Sequence, residues 1–326
     1  MIQKFSNWSF KSEITIERIE DRLRCFPKEL DYNNEGIYVE NLEFKTLDLE
    51  GESIKYLTGI ISFQRFKRGY KHKPVNEQIE LISEEFIIYD NTKEKLLIIL
   101  GSKTSSQKLV KNVFQPNFGE INERNVIDKD ILYWIVYRLR LYPNKEVLQN
   151  SGLYFRGLEG YMGTSSDKTN LVRGQGLRVI ALMGTLSFIF NDENLKALKP
   201  VIQYKRTKIT IEFSSTNTNR VSIDESAGNN IEQQLLVSHK ILPKILEAYE
   251  NDKNSKEWSL ESKLTFLQEI GATIPEKVDE QRERIKDELR ELNKNINEDN
   301  EDNEDNDFEF ESQFAIDCLE NNPCDD

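Results

Sequence analysis

Histidine is nearly absent from this chain. His72 and His239 are the only two, far apart in sequence, so Ser-His-Asp, Cys-His and histidine-based zinc chemistry find little support. Cysteine is scarce too: Cys25, Cys318 and Cys324 are too few for a disulfide framework and point to a reducing, cytoplasmic setting. Long apolar runs are lacking. The longest, Val179 to Phe190, is twelve residues with Gly184 inside it, whereas a membrane helix needs about 20. That run predicts a buried core element, and no membrane association is expected. The first ten residues have no apolar signal core and no small-residue cleavage site, so no secretory signal is expected.

Charge is abundant and unevenly placed. The 326 residues carry a net −13, yet residues 295–326 hold thirteen acids and no Lys or Arg, which leaves residues 1–294 neutral. Within that neutral part, residues 51–220 hold 26 basic and 17 acidic side chains. A basic middle with a separable acidic tail suggests a masked polyanion site or a protein-docking arm. The abundance of Asn, Ile, Lys and Glu suits an AT-rich bacterial or phage genome.

Patterning predicts an α+β fold, largely antiparallel, with a β-rich N-terminal half, a helical C-terminal third and a disordered acidic tail. The expected divisions are a β-rich α+β domain over 1–120, a mixed region over 121–294 ending in helices, and the tail over 295–326. A short strand at Ile14–Ile16 leads into a helix at Glu17–Arg24. Gly36–Leu49 and Ile54–Phe66 form one strand pair, turning around Gly51; Ile79–Tyr89 and Leu96–Leu100 form a second. A helix over Lys103–Phe114 is broken by Pro116, and another runs over Asp128–Leu141 with an apolar stripe at helical spacing. Leu153–Leu158 is read as one strand in a glycine-rich stretch, and Leu177–Phe190 as a core helix or a strand pair. The phase change within Val201–Phe213 predicts a hairpin turning at Lys205–Lys208. Ile231–Tyr249 is helical, kinked or divided at Pro243, and Trp258–Ile270 is helical up to Gly271. Val278, Ile285, Leu289, Leu292 and Ile296 then recur at 7, 4, 3 and 4 residues, a narrow seam suited to a neighbour or a second copy.

The most pointed local signal is the segment Gln64 to Pro74. Arg65, Lys67, Arg68, Lys71 and Lys73 alternate there with Phe66, Tyr70 and His72. Cations neutralise phosphates and aromatic faces stack on unpaired bases; the plain alternative is a solvated basic loop. Lys205, Arg206 and Lys208 make a second basic group at a hairpin tip. Gly101-Ser-Lys103 precedes a helix, where backbone amides favour an anion, although the spacing is not that of a P-loop and an ordinary Ser/Thr cap followed by exposed lysines is the plainer reading. The glycine-rich stretch carries Arg156, Lys168, Arg173 and Arg178, either as a flexible connection or as a DNA-contacting or active-site loop. Asp31 with Glu43 and Lys45 fits a metal-dependent nuclease only loosely. In the tail, Phe308, Phe310 and Phe314 interrupt the acids like a recognition segment that folds on a partner.

These features predict a DNA- or RNA-binding protein of a bacterial or phage system. Its acidic tail would mask the basic surface or recruit a protein partner. Two alternatives stand beside it: a protein-interaction module or inhibitor of phage defence or counter-defence, oligomerising through the C-terminal helices without nucleic acid, and a metal-dependent nuclease. No cofactor or catalytic residue is assigned.

Overall fold

The computed structural model describes residues 3–29, 35–67, 72–91, 94–165, 170–176, 183–215, 219–223 and 230–301. It divides into two compact units, Met1–Ala272 and Thr273–Asp326. The first unit is built on an antiparallel sheet of eleven strands among the described residues. In chain order these are β1 (Gln3–Phe10), β2 (Gly36–Leu49), β3 (Glu52–Phe66), β4 (Ile79–Asn91), β5 (Glu94–Leu100), β6 (Ile121–Glu123), β7 (Leu153–Thr164), β8 (Leu171–Gln175), β9 (Asn194–Tyr204), β10 (Thr207–Ser214) and β11 (Asn219–Ile223). Their spatial order is β2-β3-β4-β5-β1-β11-β10-β9-β7-β8, with β6 also on β1. The α+β, largely antiparallel class read from the sequence is the one observed, with helices filling the C-terminal third.

The strand that joins the two halves of the sheet is β1, which pairs with β5 on one side and β11 on the other. Sequence placed the first strand at Ile14–Ile16 instead. Thr15 in fact caps helix α1 (Ile16–Arg24), its hydroxyl accepting from the Arg18 amide at 3.3 Å, while Ile16, Ile19 and Leu23 face the core. The β1 signal is weak because Ser6, Asn7 and Ser9 lie buried between Phe5, Trp8 and Phe10. A central strand covered on both faces has no apolar–polar alternation to display. The hairpins β2–β3, β4–β5 and β9–β10 lie where expected.

Two prolines that were expected to break or kink helices are instead absorbed by π turns. Helix α3 (Lys103–Leu109) passes through a π turn at Val110–Phe114 into α4 (Gln115–Phe118) and ends at Gly119, whose φ is +90°. Downstream, α7 (Asn230–Leu235) passes through a π turn at Leu236–Ile241 into α8 (Leu242–Asn254). Pro116 and Pro243 each sit in the first turn after the π segment. The wider turn shifts the hydrogen-bond frame there, where a missing N–H does least harm.

Helix α5 (Lys129–Leu141) begins at Asp128, whose carboxylate accepts from the Ile131 amide at 2.8 Å. Every residue from Ile131 to Leu139 is buried, Arg138 included, so the expected stripe is an enclosed helix. It packs on β7 and β9, and its aromatics meet those of the C-terminal helices: Trp134 against Tyr249, and Tyr137 against Trp258 and Phe266.

The glycine-rich stretch forms a strand twice as long as expected. Register shifts at Phe155/Gly157, Leu158/Gly160 and Met162/Gly163 bend β7 along its pairing with β9. At Gly163 a Cβ would stand 2.7 Å from the Asn194 carbonyl oxygen and against the Phe188 ring. Gly163→Ala is therefore expected to cost about 1–3 kcal/mol by overpacking, read as a lower urea midpoint; an unchanged midpoint would show that the bend relaxes. Phe188 belongs to α6 (Met183–Phe190), so the described part of the long apolar run is helical; residues 177–182 lie outside the described residues.

The last helix, α9 (Leu260–Glu301), continues through both Gly271 and Pro275. Gly271 was expected to end it. That glycine instead lies against the Phe190 ring, with no space for a Cβ, so it serves packing. In the second unit the described charges pair along the helix itself: Arg282 with Asp279, Arg284 with Glu288, Lys286 with Glu283 and Arg290 with Asp287. Among the described residues no helix is long and apolar enough to cross a membrane.

Candidate functional site

The basic residues singled out in the sequence are mostly neutralised where they stand. Arg65, near the end of β3, lies opposite Glu80 on β4 and forms an ion pair with it at 2.7 Å. Lys108 from α3 reaches the same carboxylate. Hydrogen bonds from Lys108 and Arg65 hold the Glu80 carboxyl below its ordinary pKa, against a smaller effect of burial. Lys67 Nζ donates to the Glu77 carbonyl at 3.2 Å, and Lys73 lies 3.8 Å from the Glu77 carboxylate. Lys103 is 3.7 Å from Glu123. Arg68, Tyr70 and Lys71 lie outside the described residues.

The β9–β10 turn is docked against the β2–β3 turn. Lys205 pairs with Glu50 at 2.9 Å, the Tyr204 hydroxyl donates to Glu50 at 2.8 Å, and Lys244 Nζ donates to that hydroxyl at 3.1 Å. Burial raises the Glu50 pKa, but Lys205 and Tyr204 outweigh it and leave the carboxyl below its ordinary value. The neighbouring Glu52 takes Lys240 and His239. This network places Lys205 at the start of β3, whereas Arg65 stands at its far end. Arg65 lies thirteen residues beyond Glu52 along the strand, roughly 40 Å at about 3.3 Å per residue. The two basic tips therefore do not flank one groove.

The Gly101-Ser-Lys103 segment is a capped helix start. Ser102 Oγ accepts from the Ser105 amide at 3.1 Å. The Glu84 carboxyl sits where a Cβ on Gly101 would be, so the chain supplies its own acid beside that helix start. Burial pushes the Glu84 pKa up, with a hydrogen bond from Ser105 opposing.

A different surface carries three cations, Arg156, Arg173 and Lys208, that pair with no acid among the described residues. On the open face of β7 to β10, Arg156 Nε donates to Gln203 Oε1 at 2.8 Å and its guanidinium lies 4.4 Å from the Tyr154 ring centre. Lys208 stands opposite Gln203 in the β9–β10 register and is exposed. Thr210 donates to Glu159 at 3.1 Å, and Glu159 pairs with Lys199 at 2.8 Å. Beside them is a cleft of about 250 Å³ lined by Glu159, Gly160, Met162, Arg173, Lys199 and Glu212 among others. Arg173 is exposed and touches Met162 Sδ at 3.7 Å. A Cβ on Gly160 would lie 3.0 Å from the Gly174 carbonyl oxygen, so the cleft wall is bare backbone. Among the described residues, none of Arg156, Arg173 and Lys208 forms an ion pair, unlike Arg65, Lys73, Lys103 and Lys205.

The glycine-rich stretch with Arg156 and Arg173 was visible in the sequence, and Lys208 was among the candidates. Lys199, Thr210 and Glu212 were not, because sheet pairing alone brings β9 and β10 beside β7 and β8. Lys168 and Arg178 lie outside the described residues, and Arg206 is exposed at the β9–β10 turn.

The nuclease pattern gains nothing. Asp31 is outside the described residues, Glu43 pairs with Lys45 on the exposed side of β2, and the described residues contain no group of three or more His, Cys, Asp or Glu placed to hold a metal. Phe308, Phe310 and Phe314 also lie outside the described residues. On α9, Ile285, Leu289 and Leu292 are 44%, 48% and 56% exposed, so the expected seam is uncovered. The chain matches no family model, and it matches no curated protein.

Proposed function

We propose that this protein binds nucleic acid through the open face of β7 to β10, with the acidic tail as an internal competitor. The observation that carries the proposal is that Arg156 on β7, Lys208 on β10 and Arg173, which lines the cleft, have no carboxylate paired to any of them among the described residues. Unneutralised guanidinium and ammonium groups on a polar face suit a phosphate backbone. The thirteen acids of residues 295–326 supply the same kind of charge at high local concentration, so they raise the threshold for non-specific binding. Scarce cysteine agrees with a reducing compartment, and the composition with a bacterial or phage source.

The test is fluorescence anisotropy with labelled single- and double-stranded DNA and RNA, comparing the full chain with residues 1–294 across a salt series. Truncation is expected to tighten binding about tenfold or more at low salt, with a steep salt dependence in both forms. Absence of binding by both forms at low ionic strength would sink the proposal.

A second reading rests on the uncovered seam of the second unit. Its charges are satisfied within the helix, while Ile285, Leu289 and Leu292 have no cover among the described residues. A second copy of this helix is the natural occupant of a narrow apolar seam. Sedimentation of the full chain should then show a dimer that Leu289→Glu converts to monomer; a monomer at high micromolar concentration removes this reading.

A further inference from the structure

We propose that the cleft between β7, β8 and β9 accepts one unpaired base bearing an exocyclic amino group, with its phosphate held at the rim. The proposal rests on the nucleic-acid reading above and adds the class of nucleotide. The cleft is poorly built for a bare phosphate. Glu159 and Glu212 line it beside Lys199, and Glu159 is kept ionised: burial raises its pKa, but hydrogen bonds from Lys199 and Thr210 and the charge of Lys208 bring it below the ordinary value. A phosphate driven into that wall would have to displace Glu159 from Lys199.

A base meets it differently. Carboxylates accept from the amino groups of cytosine, adenine and guanine, as Glu and Asp do when they read cytosine N4. Glu159 receives Thr210 on one oxygen and Lys199 on the other. An ionised carboxylate has about four acceptor positions, which leaves room for a further donor. Thymine and uracil offer the acids only a single ring N3–H, flanked by two carbonyl oxygens that repel a carboxylate. Bare backbone at Gly160 and Gly174 lets a flat ring approach closely. Arg173, exposed at the mouth, can take the phosphate of the inserted nucleotide in bidentate fashion. A base inside a duplex is paired and stacked, so this arrangement favours single strands.

The experiment is anisotropy on the full chain with equal-length labelled homopolymers of dA, dC and dT and a mixed duplex at one salt concentration. Expected is roughly 5- to 100-fold tighter binding of dA and dC than of dT, with the duplex weaker than dC. Glu212→Gln should bring the three homopolymers to within about threefold, because an amide can also donate to thymine carbonyls. Glu159→Gln gives the same levelling and serves if the first variant folds poorly. Arg173→Gln should weaken all three by one common factor. Equal wild-type affinities, or a preference untouched by both Glu variants, would overturn the base pocket and leave the nucleic-acid reading standing. No binding to any strand at low salt would overturn both.

Discussion

Asp252→Ala is expected to destabilise the first unit by about 3–5 kcal/mol, the loss typical when one partner of a buried ion pair is removed. The Asp252 carboxylate accepts from Trp134 Nε1 at 2.8 Å and lies 3.4 Å from Arg138. Arg138 is only 5% exposed, so it could not recover water if its partner were deleted. Its remaining bonds run to the carbonyls of Glu146 and Val147, which carry no compensating charge. The same aspartate fixes the start of α9 through its own carbonyl, which accepts from the Trp258 amide at 2.9 Å.

Burial raises the pKa of Asp252 above the ordinary aspartate value, with Trp134 and Arg138 pulling the other way. The sign matters. A carboxyl whose folded pKa is raised takes up its proton more readily folded than unfolded, so this group adds stability as pH falls through its folded pKa and none at neutral pH. The pair is thus not a source of net stability at pH 7, yet breaking it is costly because a charge is stranded. Arg138→Met combined with Asp252→Leu should accordingly cost less than Asp252→Ala alone. Urea titration of the two variants checks this, and a loss below about 1 kcal/mol for Asp252→Ala would refute the account.

The second large effect is on binding. Replacing Arg156, Arg173 and Lys208 together with glutamine is expected to lower affinity for single strands roughly 100-fold or more at low salt. The slope of log affinity against log salt should become shallower by about 2, roughly 0.7 for each single-strand phosphate no longer neutralised. Arg65→Gln and Lys205→Gln, whose partners are Glu80 and Glu50, should leave that slope unchanged. If instead the Arg65 variant abolishes binding while the triple variant does not, the interface lies at the β3–β4 connection. Gln stays polar without charge at these exposed positions, so folding should be unaffected.

Local chemistry was legible wherever it was sufficient to decide structure. The β2–β3 turn announces itself through Gly51, with φ at +84°, and the β9–β10 turn through a change of parity between Ile202 and Ile209. The helix that follows Asp128 declares itself through its apolar spacing. Where burial overrode propensity the signal was lost. Ser6, Asn7 and Ser9 hid β1, and Gly160 and Gly163 read as a loop although each lies in a bent, paired strand.

By itself, then, the sequence determined the fold class, most of the hairpins, the scarcity of histidine and cysteine, and the separation of charge along the chain. These depend on neighbours within a few residues or on composition. Tertiary structure alone decided which of the cations are free. A lysine or arginine is recognised by its letter, but its charge is available only if no acid from another strand meets it. Glu80 and Glu50 neutralise Arg65 and Lys205 across turns and strands, while sheet order leaves Arg156, Arg173 and Lys208 together on an open face.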